Sequence, residues 1–498
     1  MLVRVVVAVS TAAGLLAGLS ARAEASTYRV GLGETYRQLS QLPPLVPGDV
    51  VEVVGGFTYE PAVLDADGTA AQPITIRGVR NALNKRPVFA NGDNSLELAG
   101  DHYVVEGLEL TGGAVRCLFV HADDLTLRDL LIHDCPGHGI EGGGNGGGNL
   151  TLEYSEIYGS GHGTTQHQVY VATDEITHPG SKFLMRFNWI HDGTGGNNVK
   201  SRAERNEIYF NLIEGALYHE LELIGPDPAD NNVPENQAVE NSDVVGNVLA
   251  KGGGHSNFWI ARIGGDGTGQ TFGRYRFDHN TIILASDSAG AFRLFDGLDT
   301  FEAHNNAIVR TSTAATTPVI LREAEATWRA GRQVSGSNNW VIADVVSDVP
   351  ADWTGTLRGD MPGWMGFGDY RPMEGSPLID AANPTPMSPA GHAFPMPLPE
   401  PSFEPPIAAP IKPGEEVPRP RVGTLDIGAF EFGMGPPVDP DAGAGPGDGD
   451  GGVDDGDGGT GGTGGGGGCC QTGASARASS LPVALGLLGL TLRRRRRR

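Results

Sequence analysis

Helical periodicity is nearly missing from this chain, and cysteine, basic charge and long apolar runs are scarce. Its 498 residues include four cysteines, and only Cys117 and Cys135 lie outside the C-terminal tail. That count excludes a disulfide-dense scaffold, and no Cys/His spacing suits zinc. The two body cysteines read equally well as a disulfide or as two buried thiols. Basic residues number 36 against 60 acidic ones, for a formal net charge of −24. The body stays strongly acidic without the six terminal arginines and the seven aspartates of residues 434–468. Nucleic acid and anionic membrane surfaces are therefore excluded as partners. An anionic ligand would need a local basic patch or a bridging cation.

The apolar runs that exist sit at the two ends. Arg4 precedes an apolar stretch from Val5 to Leu19, followed by small-residue cleavage patterns up to Ala25. Residues 1–25 read as a secretory signal peptide, since the run falls short of a membrane span. Residues 434–468 are almost wholly Gly, Asp, Pro, Ala and Thr, a solvated acidic linker. Residues 469–498 hold Cys469 and Cys470, an apolar run from Leu481 to Leu492 and six arginines. This tail resembles the MYXO-CTERM sorting signal of myxobacterial exported proteins. The resemblance implies export and display at the cell surface or outer membrane, with membrane contact only through the tail. Residues 26–433 remain as the folded body, expected as a monomer and ample for a large core.

Within that body, short β-branched alternations end repeatedly in Gly, Asn or Asp: VVEVVGG, ITIRG, LTLRDLLIHD, FLMRFNWIHDG. That is strand and turn, repeated. Amphipathic helix is scarce, and the best candidate is Val319 to Gly331. An Asn followed by apolar residues recurs at Asn188, Asn211, Asn247, Asn280, Asn306 and Asn339, in steps of 23, 36, 33, 26 and 33 residues. A strand repeat of this length without helices predicts an all-β, right-handed parallel β-helix, a single-stranded solenoid. A propeller needs steadier, longer repeats and hairpin turns, and is the second choice. The asparagines are expected to take the left-handed turn of each coil and to bond along the axis. SPLIDAAN and DIGAFEF near the end of the body resemble the closing phrases of secreted β-helix proteins. The Pro-rich stretch 384–420 between them is expected to run as an extended strap.

Strand parity sorts the densest cluster of polar residues, 161–227. In NVKSRAE, Val199, Ser201 and Ala203 face inward, with Lys200 and Arg202 outward. In HQVYVA, Tyr170 faces out; in HELELIG, Glu220 and Glu222 face out. Stepping one coil at a time predicts an outward column of His121, Glu141, Tyr170, Lys200 with Arg202, Glu220 with Glu222, Arg262 and Arg293. Such a column is a groove floor carrying cations, carboxylates and a hydroxyl in register.

VKSRAERNEIYFNLI, with HQVYV before it, resembles the Lys-Ser coil of β-helix polysaccharide lyases. HELELIG stands where alginate-type relatives have an Arg-His-Gly run. The resemblance implies β-elimination on an acidic, uronate-containing polysaccharide. Lys200 would be the base and Arg202 the carboxylate clamp. Tyr170 or His167 would protonate the leaving oxygen. His121, Glu141, Arg262 and Arg293 would bind substrate, and Glu220, Glu222 and Asp227 would hold Ca²⁺. Cations at the carboxylate are what the chemistry requires, because proton removal beside it builds enolate charge. The alternatives are a non-catalytic adhesin or glycan-binding solenoid, in which the charges form a solvated ladder, and a glycoside hydrolase or uronate epimerase. PGHGI at Pro136 resembles the Gly-His-Gly of pectin-hydrolysing β-helix enzymes, but their paired-aspartate strands are missing.

Overall fold

The computed structural model describes residues 24–433, apart from 144–145, 227–238, 253–254, 256, 258, 266–270, 311–317, 325, 345–348 and 367. Three strands recur in each coil and stack in parallel on those of the next, building sheets of 13, 12 and 10 strands, here A, B and C. The result is a right-handed parallel β-helix. Among the described residues the only helix is a 3₁₀ turn at Leu39–Gln41, and none is long and apolar enough to cross a membrane. Val319–Glu323, expected as the start of a helix, is the last strand of sheet C. Its Leu321 stands in register with the inward Phe292 and its Ile320 is buried, so packing overrides the local helix propensity.

Alternating residues from each strand fill the interior. Val169, Val199, Leu221, Ala261 and Phe292 are fully or almost fully buried and lie in register on sheet C. Phe292 meets Phe277 and Phe301 across the core, with ring centroids 5.0 and 5.1 Å apart. Cys117 and Cys135 form a disulfide under the early coils.

The asparagine ladder is continuous, but its turn chemistry differs from expectation. The left-handed residue of each coil is the one before the asparagine: Phe187, Phe210, Gly246, His279, Asn305 and Asn338, with φ between 49° and 67°. The asparagine itself supplies the bonds. Asn211 Oδ1 accepts both the backbone N–H and the side-chain amide of Asn188, each at 3.0 Å, and the pattern repeats through Asn247, Asn280, Asn306 and Asn339. A left-handed non-Gly residue costs about 1–2 kcal/mol, and several buried bonds per rung offset it. The left-handed turn also throws Tyr154, Phe187 and Phe210 outward into a stack.

Residues 384–420 run back along the outer face of sheet A. Ser388 bonds Glu302, His392 bonds Asp299, and Phe394 lies over Arg276. Phe403 then meets Phe187 and Phe210 edge-on, and Glu416 bonds Tyr154. Sheet A is thereby covered along these coils.

Candidate functional site

The register of sheet C decides which side chains meet. Position by position it aligns Glu97 with Phe119, Phe119 with Glu141, and Glu141 with Tyr170. Tyr170 is followed by Lys200, Glu222, Arg262, Arg293 and Arg322. Adjacent rungs are about 4.8 Å apart. The outward column thus contains Glu141, Tyr170, Lys200, Glu222, Arg262 and Arg293 at the expected places. His121 is not in it. Phe119 occupies that level, and His121, past the strand end, bonds Glu97 at 3.0 Å.

Glu222 is the electrostatic centre. Its carboxylate lies 3.7 Å from Lys200 Nζ and accepts from Arg262 Nη1 at 2.6 Å and from Asn197 Nδ2 at 2.6 Å. Burial pushes this carboxyl up, but the charges of Lys200, His219 and Arg262 outweigh it and hold it at about 2. Glu222 is therefore ionised at any ordinary pH. Lys200 Nζ also lies 5.1 Å from the Tyr170 ring centre, within cation–π range.

Arg202 is nearly buried, and its guanidinium is turned to the floor. Nε donates to the Tyr170 hydroxyl oxygen at 3.1 Å, and Nη1 donates to the Gly225 carbonyl. It fixes the phenol in place. Tyr170 also packs against the rings of His138 and His167, at 5.9 and 5.5 Å.

These histidines belong to a second row, His138, His167, Asn197 and His219, of which sequence reading had named only His167 as a site residue. Each hands an acceptor to the next coil. His138 Nδ1 accepts from His167 N, His167 Nδ1 from Asn197 N, and Asn197 Oδ1 from His219 N, at 2.9–3.1 Å. With Nδ1 accepting, the proton of His138 and of His167 is assigned to Nε2. Burial pushes both below their ordinary value, His167 to about 3. They are neutral donors, not bases, at neutral pH. His219 is fully buried and its Nδ1 meets Asn197 Oδ1 at 3.0 Å. The row therefore continues through Asn197 to Glu222. The sequence signals were the HQVYV run, which holds His167, and the PGHGI run, which holds His138.

Glu220 departs from the outward face. Parity places it beside Glu222, but loops close over it and it is fully buried. It faces Lys251 at 3.4 Å and accepts from Asn198 Nδ2 and Ala216 N. Burial pushes the Glu220 carboxyl up and the Lys251 ammonium down, so each needs the other. Glu220 and Glu222 do not fit a Ca²⁺ site, because both carboxylates are already taken by cations of the fold. Asp227, the third member of that set, lies outside the described residues. Among the described residues no group of three or more His, Cys, Asp or Glu is arranged around an ion.

No protein-family model matches the chain, and no curated protein does. Among solved structures it is similar to pectate lyase Pel9A, at 13% identity and a TM-score of 0.47, over 82% of this chain and 97% of that one. A rhamnogalacturonan lyase aligns at 15% identity and TM-score 0.46, over 69% and 91%. An alginate lyase from Paenibacillus sp. str. FPU-7 aligns at 18% and 0.34, over 67% and 95%.

Proposed function

We propose that this is an exported, surface-held protein that cleaves an acidic polysaccharide by β-elimination in the groove over sheet C. The observation that carries the reading is the in-register run Tyr170–Lys200–Glu222–Arg262. It sets an amine one rung from a phenol and two rungs from a guanidinium in an otherwise acidic protein. In the reaction a base removes the proton at C5 of a uronate. The C4–O bond breaks, a C4–C5 double bond forms, and an acid protonates the departing oxygen. Lys200 is the base and Tyr170 the acid, held by Arg202. Arg262 meets the carboxylate as enolate charge grows, in the role first given to Arg202. His138 and His167 wall the phenol as neutral N–H donors.

A second reading is favoured by the 3.7 Å contact of Lys200 with Glu222. In it the column is a glycan-binding surface without chemistry. One experiment separates the two. The full chain is incubated with polygalacturonate, alginate and glycosaminoglycans, and the ultraviolet absorbance of unsaturated product is followed. Elimination predicts product, and a loss of about 100-fold or more in Lys200→Ala. Wild-type rates in Lys200→Ala would sink the mechanism. Binding without product from any polymer would establish the second reading instead.

A further inference from the structure

We propose that a cavity near the N-terminal end of the solenoid is a second binding site, which takes a small organic cation with an apolar body, an alkyl- or arylammonium. The cavity measures about 470 Å³, within the range of small-ligand sites. It lies where the 3₁₀ turn and the residues after it face the first strand of sheet C, Ala62–Leu64. Leu42, Pro43, Pro44 and Leu45 supply apolar lining from the one, and Val63 and Leu64 from the other. Two successive prolines fix φ in the first segment, so that wall is set before a ligand arrives and little entropy is lost on binding. Val63 stands in register with Glu97 at the head of the outward column. Counting by register through Glu97, Phe119, Glu141 and Tyr170, the cavity is five rungs, roughly 24 Å, from Lys200. It is separate from the site proposed for the polysaccharide.

Tyr103 and Asp65 decide what fits; Ser40, the other polar residue of the lining, is exposed and uncharged. Tyr103 is 1% exposed, yet its hydroxyl oxygen has no hydrogen-bond partner among the described residues. The Ala66 backbone approaches it without reaching bonding geometry. A buried polar group left unpaired is costly, and few native ones are. Burial, and then the charges of Asp65 and Asp67, hold the phenol well above its ordinary value, so it stays O–H. Asp65 is exposed at the same cavity and forms no ion pair or side-chain hydrogen bond among the described residues. No Lys, Arg or His lines the space. An anion there meets carboxylates with no cation to answer them. A neutral apolar molecule covers the walls but leaves the Tyr103 hydroxyl unmet. An ammonium has three N–H donors for the Tyr103 oxygen and the Asp65 carboxylate, and its hydrocarbon body lies on the prolines and leucines.

The test is saturation-transfer NMR and titration calorimetry of the full chain with phenethylamine, phenethyl alcohol and phenylacetate, which share a ring and differ in charge. The amine, protonated at neutral pH, is expected to bind about tenfold tighter than the alcohol or better, and the carboxylate not at all. Asp65→Asn should bring the amine within about threefold of the alcohol. Tyr103→Phe should weaken the amine about tenfold and yet melt no lower than wild type, because its hydroxyl has no bond to lose. Equal binding of amine and alcohol by the wild type, or a preference that Asp65→Asn leaves intact, overturns the assignment. So does failure of all three probes to bind. A Tyr103→Phe variant that melts well below wild type overturns it too, since the fold itself would then hold the hydroxyl. Polymer cleavage is followed separately and is expected at the wild-type rate in Asp65→Asn, so this site and the polysaccharide reading can each fail alone.

Discussion

Replacing Glu222 with Gln keeps its shape and removes its charge, which is the property that holds the centre of the groove together. The carboxyl sits at about 2 in the folded protein against an ordinary 4.5. At about 1.36 kcal/mol per pH unit, that difference contributes roughly 3 kcal/mol to stability at neutral pH. Because the folded value is depressed, the contribution is present above about 4.5 and lost as pH falls through about 2. Gln is neutral throughout. The deficit of Glu222→Gln relative to wild type is therefore expected to be roughly 3 kcal/mol at pH 7, about 1.4 at pH 3, and close to zero below pH 2. Urea unfolding followed by tryptophan fluorescence at pH 7, 5 and 3 measures it. A deficit that is the same at pH 7 and pH 3 would refute the reasoning, since the loss would then come from packing and not from the charges of Lys200 and Arg262.

Three further outcomes are expected. Asn247→Ala removes an amide that accepts twice from Asn211 and donates to Ile208 O, Val245 O and Asn280 Oδ1; a loss of roughly 3–5 kcal/mol is expected in urea unfolding, and a loss below about 1 kcal/mol would show that the ladder adds little. Reducing Cys117–Cys135, or replacing both with Ser, should cost about 3 kcal/mol for a loop closed over 18 residues, and an unchanged melting temperature would contradict this. Burial, with Glu204 and Asp174 nearby, pushes the Glu175 carboxyl up to about 8. Its favourable contribution is thus lost as pH rises from about 4.5 through 8, so Glu175→Gln should match wild type at pH 4 and exceed its stability at pH 9; equal stability at both would count against the assignment.

Much of this molecule is written in its strand parity. Lys200, Glu222, Arg262 and Arg293 were placed in one column by alternation and coil length alone, and the register aligns them so. Alternation says which side of a strand a residue takes, not what covers that side. Glu220 has the parity of Glu222, yet loops bury it against Lys251. The asparagine ladder was legible for the same reason as the column. Its left-handed positions were not, because Phe187, Phe210 and His279 carry no sequence mark of positive φ. His219 and Asn197 escaped notice because their importance lies in a chain of bonds between coils, which spacing does not display. Val319–Glu323 misled in the other direction, its helix-forming residues being recruited by the sheet.

The ladder does not run the length of the axis. It begins where Leu130 N donates to Ser155 Oγ and Ser155 N donates to Asn188 Oδ1. In the two coils before that the same place holds Leu108 and Leu130, which are simply buried. The disulfide lies in just this forward stretch. The solenoid is thus fastened by two means laid end to end, one covalent and sensitive to reductant, the other a chain of amides indifferent to it. In a quasi-one-dimensional structure each coil leans mainly on its neighbours. Exposure to a reducing environment should loosen the forward coils as a block, seen as faster amide exchange before residue 150, while the coils bearing Lys200 and the arginines stay closed. The part of the groove floor that carries Glu97, Phe119 and Glu141 would then be lost first, while the column from Lys200 onward kept its register.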